Sequence, residues 1–400
     1  MTGIVLKVVF WSCIGLLAYV YRGYEWLLRL ASAGMGPGDA PSPAAGDSVP
    51  PKVTVLITVH NEAERIEKRI ANVLASDYPS DRLEVLIASD GSQDGTDGLV
   101  ESLGTTHPVR LFASGGRLGK TETQNRALSA ATGEIVVFSD AETLFASNFL
   151  SEIVRPFREA SVGMTTGMLR LVDSGGVAAP SQGAYWAYEL RLRRLESKLG
   201  ILAVASGQAM AVRRKLLRRM DPTIGEDCIV PLDVVLQGCR VVHCDAAEAT
   251  DTFESEPAKE LRTRIRMTLR NWLGTWSRPQ LLNPLKHPGY ALALWSHKLM
   301  RWLGPFIALA ATLSLFGLLG QPLYAVLAGL TLLGYVGAGI GWAAGRRNLR
   351  VPVAGQLYSF CLANAGFAIG VCKALMGHRV VTYRSGVLER QAAPDDRGER

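Results

Sequence analysis

The chain has 400 residues, room for two or three domains, and its hydrophobic content of 48% exceeds what a soluble globular enzyme needs. Its net charge of +7 and pI near 9.1 suit a nucleic-acid, membrane or anionic-substrate partner; with no zinc-ligand spacing and no RNA-binding aromatic signature, nucleic acid is set aside. The six cysteines form no CxxC pair and read as reduced core or membrane residues rather than a disulfide framework.

Ile4 to Tyr21 is an apolar run broken only by Lys7 and Ser12. No small-residue cleavage site follows it closely, so residues 1–31 are expected to be a membrane anchor rather than a signal peptide. Tyr19, Tyr21, Tyr24 and Trp26 with Arg22 and Arg29 make an interfacial belt. Residues 32–50, rich in Gly, Ala, Pro and Ser, read as a flexible linker. A folded domain is expected over 51–285. Val53 to Val59 is a β-branched strand ending at His60-Asn61-Glu62, and apolar spacing predicts a helix over 63–74. A strand over 83–88 closes on Ser89-Asp90-Gly91-Ser92-Gln93-Asp94-Gly95-Thr96. A helix over 96–103, a strand over 109–112 and the glycine-rich Gly115 to Lys120 loop follow, then a helix to about Ala131.

The next strand, Ile135 to Ser139, stops at Asp140, with Glu142 two residues later. Its continuous apolar run suits a sheet covered on both faces. The alternation predicts an α/β fold, a mostly parallel sheet flanked by helices. Two carboxylates just past a strand's carboxyl end stand where open α/β sheets bind ligands. Oxygen donors of this kind suit Mg²⁺ or Mn²⁺. A solvated turn is the alternative.

Six blocks in order carry a resemblance: Val55 to Glu62, Ser89 to Thr96, Gly119-Lys120 with Asn125, Asp140-Ala141-Glu142, Ser206-Gly207-Gln208 with Arg213-Arg214, and Gly225-Glu226-Asp227. Residues 53–273 resemble a family 2 glycosyltransferase of the GT-A fold, and the flanking apolar segments match its membrane-bound members. The resemblance implies that Thr58, His60 and Glu62 frame ribose and base, and that Asp90 accepts a base N–H. The alternative for Asp90 is a helix cap, a duty that Asp94 suits better. Lys120 is expected to meet a phosphate or to be solvated; Ser114 stands where a Walker A loop needs its first glycine. Asp140 and Glu142 occupy the Asp-x-Asp position, implying Asp140 as leading metal ligand and Glu142 as the second, with Asp140 also on the donor. Asp227 and Glu226 are implied as the catalytic pair, with Asp227 as the general base; the alternative, a cap at the start of a helix over 228–237, is compatible with that role. The processive members' Gln-x-x-Arg-Trp is here Thr263-Arg264-Ile265-Arg266-Met267, retaining only Arg266 as a substrate contact. Arg262, Arg264, Arg266 and Arg270 form either a cationic helix for diphosphate or lipid headgroups, or a solvated basic face.

Beyond Trp272 an interfacial helix is expected over 291–302, followed by spans over 303–319 and 323–343 and a third apolar segment over 352–376. These make up a membrane region over 286–376, with a basic tail over 377–400. Nucleotide sugars are cytosolic, which places the catalytic domain in the cytosol on a multi-pass protein of the cell inner membrane. Two spans then return Arg346, Arg347 and Arg350 to the cytosol, whereas a third puts the tail outside, against the positive-inside rule. The segment is therefore re-entrant, or the count differs by one.

The expected activity is inverting transfer of a sugar from a nucleotide diphosphate sugar to a lipid-linked or polysaccharide acceptor, in contact with membrane lipids and no nucleic acid. The alternatives are a processive polysaccharide synthase and a catalytically dead membrane scaffold. A transporter is disfavoured by the soluble pattern of the central residues.

Overall fold

Six of the seven residues of β1 (Val53–Val59) are β-branched, and all but Thr58 are buried, as suits a strand covered on both faces. In the computed structural model, which describes residues 2–35, 49–172, 179–252, 256–347, 349 and 351–381, β1 lies inside an eight-stranded sheet. Residues 36–48 of the expected linker, Arg350, and the tail from 382 with Arg384 and Arg390 lie outside the described residues.

The other strands are β2 (Leu83–Ser89), β3 (Val109–Ala113), β4 (Ile135–Asp140), β5 (Leu144–Phe145), β6 (Val162–Val172), β7 (Met210–Arg213) and β8 (Arg240–Thr252). Their order is β3-β2-β1-β4-β7-β6-β8-β5. β1, β2, β3 and β4 are mutually parallel, as are β6 and β8, while β7 and β5 join antiparallel. Register pairs Thr58 with both Ala88 and Asp140, and Val59 with Ser89. The carboxyl ends of β1, β2 and β4 are therefore level, and the chain reverses its strand order there, which is where such sheets open a ligand crevice.

Around the sheet run α2 (Ala63–Leu74), α3 (Thr96–Gly104), α4 (Lys120–Ala127), α5 (Phe149–Val154), α6 (Ala179–Lys198), α7 (Glu226–Leu236) and α8 (Pro257–Ser277), after the N-terminal rod α1 (Gly3–Ser32). Helix α4 ends before the expected Ala131. Alternate residues of the strands feed two apolar layers. Val55, Ile57, Val85, Ile87 and Val137 pack with Ile66 and Ile70 of α2 and Phe149 of α5. Leu56, Leu86, Val136 and Phe138 face α7 and α8 through Ile229, Leu269 and Trp272. Each such side chain contributes about 1.5–3 kcal/mol on burial.

The second layer does not stop at the domain. It continues into α9 (Pro288–Phe316) through Leu299 and Trp302, and into α11 (Pro352–Leu375) through Phe367 and Val371. With α10 (Pro322–Arg346) and α1, these make four helices long and apolar enough to cross a membrane. Residues 291–302, expected as a separate interfacial helix, are instead the first turns of one rod with the following span. A π-helical stretch at Leu294–Leu299 changes the winding without ending the helix, and Leu294, Leu299 and Trp302 are buried against the domain.

A buried polar knot joins the rods to the domain. Glu189 of α6 accepts from His297 Nε2 at 2.9 Å, Lys298 Nζ at 2.8 Å, Arg301 Nη1 at 3.1 Å and Arg193 Nε at 3.2 Å. Glu196, two turns on, accepts from Tyr24 of α1 at 2.9 Å and faces His297 Nδ1 at 2.8 Å. On α11, a Cβ added to Gly370 would lie 2.7 Å from Cβ of Thr268, so glycine lets this rod lie directly on α8. The chain then returns to the domain, where the Val381 carbonyl oxygen lies 2.6 Å from where a Cβ on Gly119 would be.

Removing His297 strips one donor from each of two buried carboxylates. His297→Ala is expected to lower stability by about 3 kcal/mol. Thermal unfolding in detergent measures it; a change within about 0.5 kcal/mol, the scale of surface substitutions, would overturn the clamp.

Candidate active site

The loops at the ends of β1 and β2 are stitched together by side chains. Asn61, at φ 57°, accepts from the Gln93 amide at 2.8 Å through Oδ1, and its own amide donates to Ser92 Oγ at 3.1 Å. Asp94 accepts from the Ala63 and Thr96 amides at 3.0 and 3.1 Å, so the capping duty falls to Asp94 and not to Asp90. His60 Nδ1 lies 2.8 Å from the Asp90 carbonyl oxygen, which makes Nδ1 the protonated nitrogen.

Asp90 is buried, and its carboxylate holds the glycine-rich loop. Oδ1 accepts from the amides of Leu118 at 2.6 Å and Gly119 at 3.0 Å and from Thr123 Oγ1 at 2.9 Å; Oδ2 accepts from the Gly119 amide at 3.0 Å. Oδ2 keeps acceptor capacity for a ligand. Gly91 is required beside it: at φ +70°, its absent Cβ would lie 2.8 Å from the Gly116 carbonyl carbon. Between these loops opens a cleft of about 650 Å³ lined by His60, Asn61, Gly91, Ser92, Ser114 and Gly116. That is the size of a small-molecule site.

The expected catalytic and metal-binding carboxylates gather at the end of β4, next to β1, and do not themselves line this cleft. Lys120, expected at a phosphate or in solvent, bridges Asp140 Oδ1 at 2.6 Å and Glu226 Oε1 at 2.7 Å. Glu226 is buried; burial raises a carboxyl, but Lys120's charge and hydrogen bond outweigh it and hold Glu226 below its ordinary value. Asp227 moves the other way: burial and then the Glu226 charge raise it. Both begin α7, and glycines make room for them. A Cβ on Gly207 would lie 2.9 Å from Glu226 Oε1, and one on Gly225 would lie 2.6 Å from Asp227 Oδ1. Helix α8 brings Arg270 to the pair, four residues beyond Arg266; its Nη2 donates to Thr121 at 2.9 Å.

Glu142 lies 4.0 Å from Arg65, which also approaches Glu62 at 3.6 Å. Glu142 is largely exposed, yet desolvation by the surrounding protein, then the charges of Asp251, Asp140 and Glu62, push it up to about 7. Among the described residues no three His, Cys, Asp or Glu side chains already form a metal cage. A site for Mg²⁺ or Mn²⁺ needs only one or two carboxylates, the rest coming from water and phosphate. Asp140, at the end of β4, and Glu142, two residues beyond it, supply two such carboxylates. Thr58, paired with Asp140 across the strands, has a buried hydroxyl without a hydrogen-bond partner among the described residues.

Sequence reasoning missed Arg69, a buried positioning residue. It donates to the Asp140 carbonyl at 3.2 Å and to Ser139 Oγ at 2.8 Å, and lies over the Phe145 ring at 4.1 Å. Its helical spacing alone marks it as one more α2 surface charge. Arg270 was visible only as one arginine among four.

Asp90→Asn replaces an acceptor oxygen by an amide that repels the loop N–H groups. Affinity for a nucleoside diphosphate is expected to fall about tenfold. Titration calorimetry on the purified chain measures it, and unchanged affinity would detach the loop from the ligand site.

The family described as "Glycosyltransferase like family 2" matches residues 50–269. The beta-monoglucosyldiacylglycerol synthase of Synechocystis sp. is 29% identical over 221 residues, 54% of this chain and 46% of the relative. Glycosyltransferase AglE of Haloferax volcanii is 27% identical over 143 residues, 35% of this chain and 47% of the relative. The chain thus spans about half the length of these curated relatives. The solved mannosyltransferase PcManGT of Pyrobaculum calidifontis, in complex with GDP-Man and Mn²⁺, superposes with a TM-score of 0.70 at 23% identity, covering 94% of this chain and 99% of that one. That likeness establishes the shared GT-A fold. With more than half of its length matched, the chain belongs to the glycosyltransferase family 2-like family.

Proposed function

We propose that this protein is a membrane-bound inverting glycosyltransferase that moves a sugar from a nucleotide diphosphate sugar to a lipid-linked acceptor. The observation that carries the reading is the divided carboxylate pair: Glu226 held ionised by Lys120, Asp227 raised and partly exposed beside it. Opposed environments of this kind separate a structural carboxylate from a proton acceptor. The relatives named for glycolipid synthesis and for mannosyl transfer from GDP-Man support the substrate classes.

The base and ribose take the cleft between His60, Gly91 and Gly116; Thr58, Glu62 and Asp90, at the ends of β1 and β2, would border the bound nucleotide. Asp140 and Glu142 would hold Mg²⁺ or Mn²⁺, which neutralises charge on the diphosphate. Lys120 and Arg270 add fixed positive charge beside it. Asp227 removes the proton of the acceptor hydroxyl as its oxygen bonds to the anomeric carbon. The bond from that carbon to the diphosphate breaks on the opposite face, and the diphosphate leaves with the electron pair, inverting the centre.

The reading extends to the membrane. Cytosolic donor sugars place the domain in the cytosol, at the inner membrane. Rods α1, α9 and α10 then cross, and α11 lies along α8, because Val381 is back on Gly119 at the domain. This keeps Arg379 on the cytosolic side, in accord with the positive-inside rule. Single transfer is favoured over processive synthesis: Arg264, within the altered Gln-x-x-Arg-Trp stretch, bonds Glu260 and packs on Gly366 of α11 instead of lining a polymer path. A dead scaffold has no chemical need for Asp140, Glu226 and Asp227 in this arrangement.

EDTA is expected to abolish transfer, with Mn²⁺ or Mg²⁺ restoring it; full activity in EDTA would remove the metal from the scheme. Asp227→Asn should lower kcat about 10²–10⁴-fold while donor affinity barely moves. Loss of donor binding with turnover intact at saturation would assign Asp227 to the nucleotide site. Because the Asp227 pKa is raised and the base acts ionised, kcat should fall with decreasing pH through a limb above the ordinary aspartate value of about 3.9. A limb at or below that value would exclude Asp227 as the base.

A further inference from the structure

A second cavity, of about 540 Å³, lies among α1, α6, α8 and α11. Arg22, Arg264, Glu260, Tyr185, Leu357 and Phe360 stand on its wall. Arg264 Nη2 donates to Glu260 at 2.8 Å, whereas its buried Nε has no partner among the described residues. The guanidinium lies 5.1 Å from the Tyr185 ring centre, which fixes it at the wall. Arg22 is exposed on α1. Two guanidiniums against one carboxylate leave the cavity net positive.

This cavity is separate from the transfer site. Arg264 and Arg270 are six residues apart on α8, so their side chains leave the helix about 120° apart. Arg270 belongs to the carboxylate pair, while Arg264 faces α11 through Gly366. One side of the cavity is apolar, with Phe360 53% exposed. A dissolved phosphate has no use for such a wall; a lipid has both a phosphate for the arginines and chains for the apolar side. Guanidinium forks match phosphate oxygens geometrically.

We propose that this cavity seats the phosphate of an anionic glycerophospholipid, held by Arg22 and Arg264 with its acyl chains along α11. The bound lipid ties the N-terminal rod to α8 at the membrane surface. The inference rests on the membrane placement proposed above, not on the chemistry of transfer.

The test is native mass spectrometry of the full chain in detergent micelles containing equal amounts of phosphatidylglycerol and phosphatidylcholine. Retention of phosphatidylglycerol should exceed that of phosphatidylcholine about tenfold, and Arg22→Gln should bring the two near parity. Equal retention by the wild-type chain, or an unchanged preference in Arg22→Gln, would overturn the proposal. Displacement of the lipid by millimolar inorganic phosphate would reassign the cavity to a phosphate ion. Ser359→Trp, which fills the cavity from α11, is a second variant should Arg22→Gln fail to fold, and it should abolish retention. Nucleoside diphosphate affinity, measured alongside, should stay at the wild-type value in both. Lipid selectivity without sugar transfer would leave this site standing and sink the transferase reading alone.

Discussion

One ammonium group holds the centre of this molecule in place. Lys120 lies between Asp140, at the end of the parallel half of the sheet, and Glu226, at the start of the helix behind the antiparallel half. Its position depends on Asp90, which gathers the amides of Leu118 and Gly119 and so fixes the turn from which Lys120 extends. Glu226 is buried, and an unpaired carboxylate there would carry the full penalty of an uncompensated charge. With Lys120 in place, Glu226 is held below its ordinary value, while burial and then the Glu226 charge raise its neighbour Asp227. A contact that stabilises the fold thereby contributes, beside burial, to the proton affinity of Asp227.

A second knot, around Glu189 and His297, decides how the apolar rods meet the domain. Four donors converge on one buried carboxylate, and the tyrosine of α1 joins through Glu196. The apolar layer under the sheet passes through Trp272 and Trp302 into the rods without interruption. Domain and rods therefore share a core, and α8 lies between the carboxylate pair on one side and α11 on the other. The same helix carries Arg270 toward the pair and Arg264 toward α11.

The first four strands, their connecting helices and the carboxylates at their ends were legible in the amino-acid order because each rests on local signals. Runs of β-branched residues, apolar spacing along α2, and Gly and Asp at turns needing unusual backbone angles all act within a few residues. The apolar rods were legible for the same reason, by length and composition. The partners of Lys120, the approach of Arg270 to the carboxylate pair, the clearance that Gly207 gives Glu226, and the clamp of Arg69 on β4 were not legible. Each joins residues far apart in the chain, and no local pattern distinguishes an arginine facing a carboxylate from one facing solvent. The continuous rod through 291–302 was hidden because its charged residues look interfacial until Glu189 is seen beneath them. Sequence alone thus determined the fold class, the family and which carboxylates stand at strand ends. Tertiary structure alone decided their ionisation and their partners, since pKa depends on burial and on charges brought close only when the chain is folded.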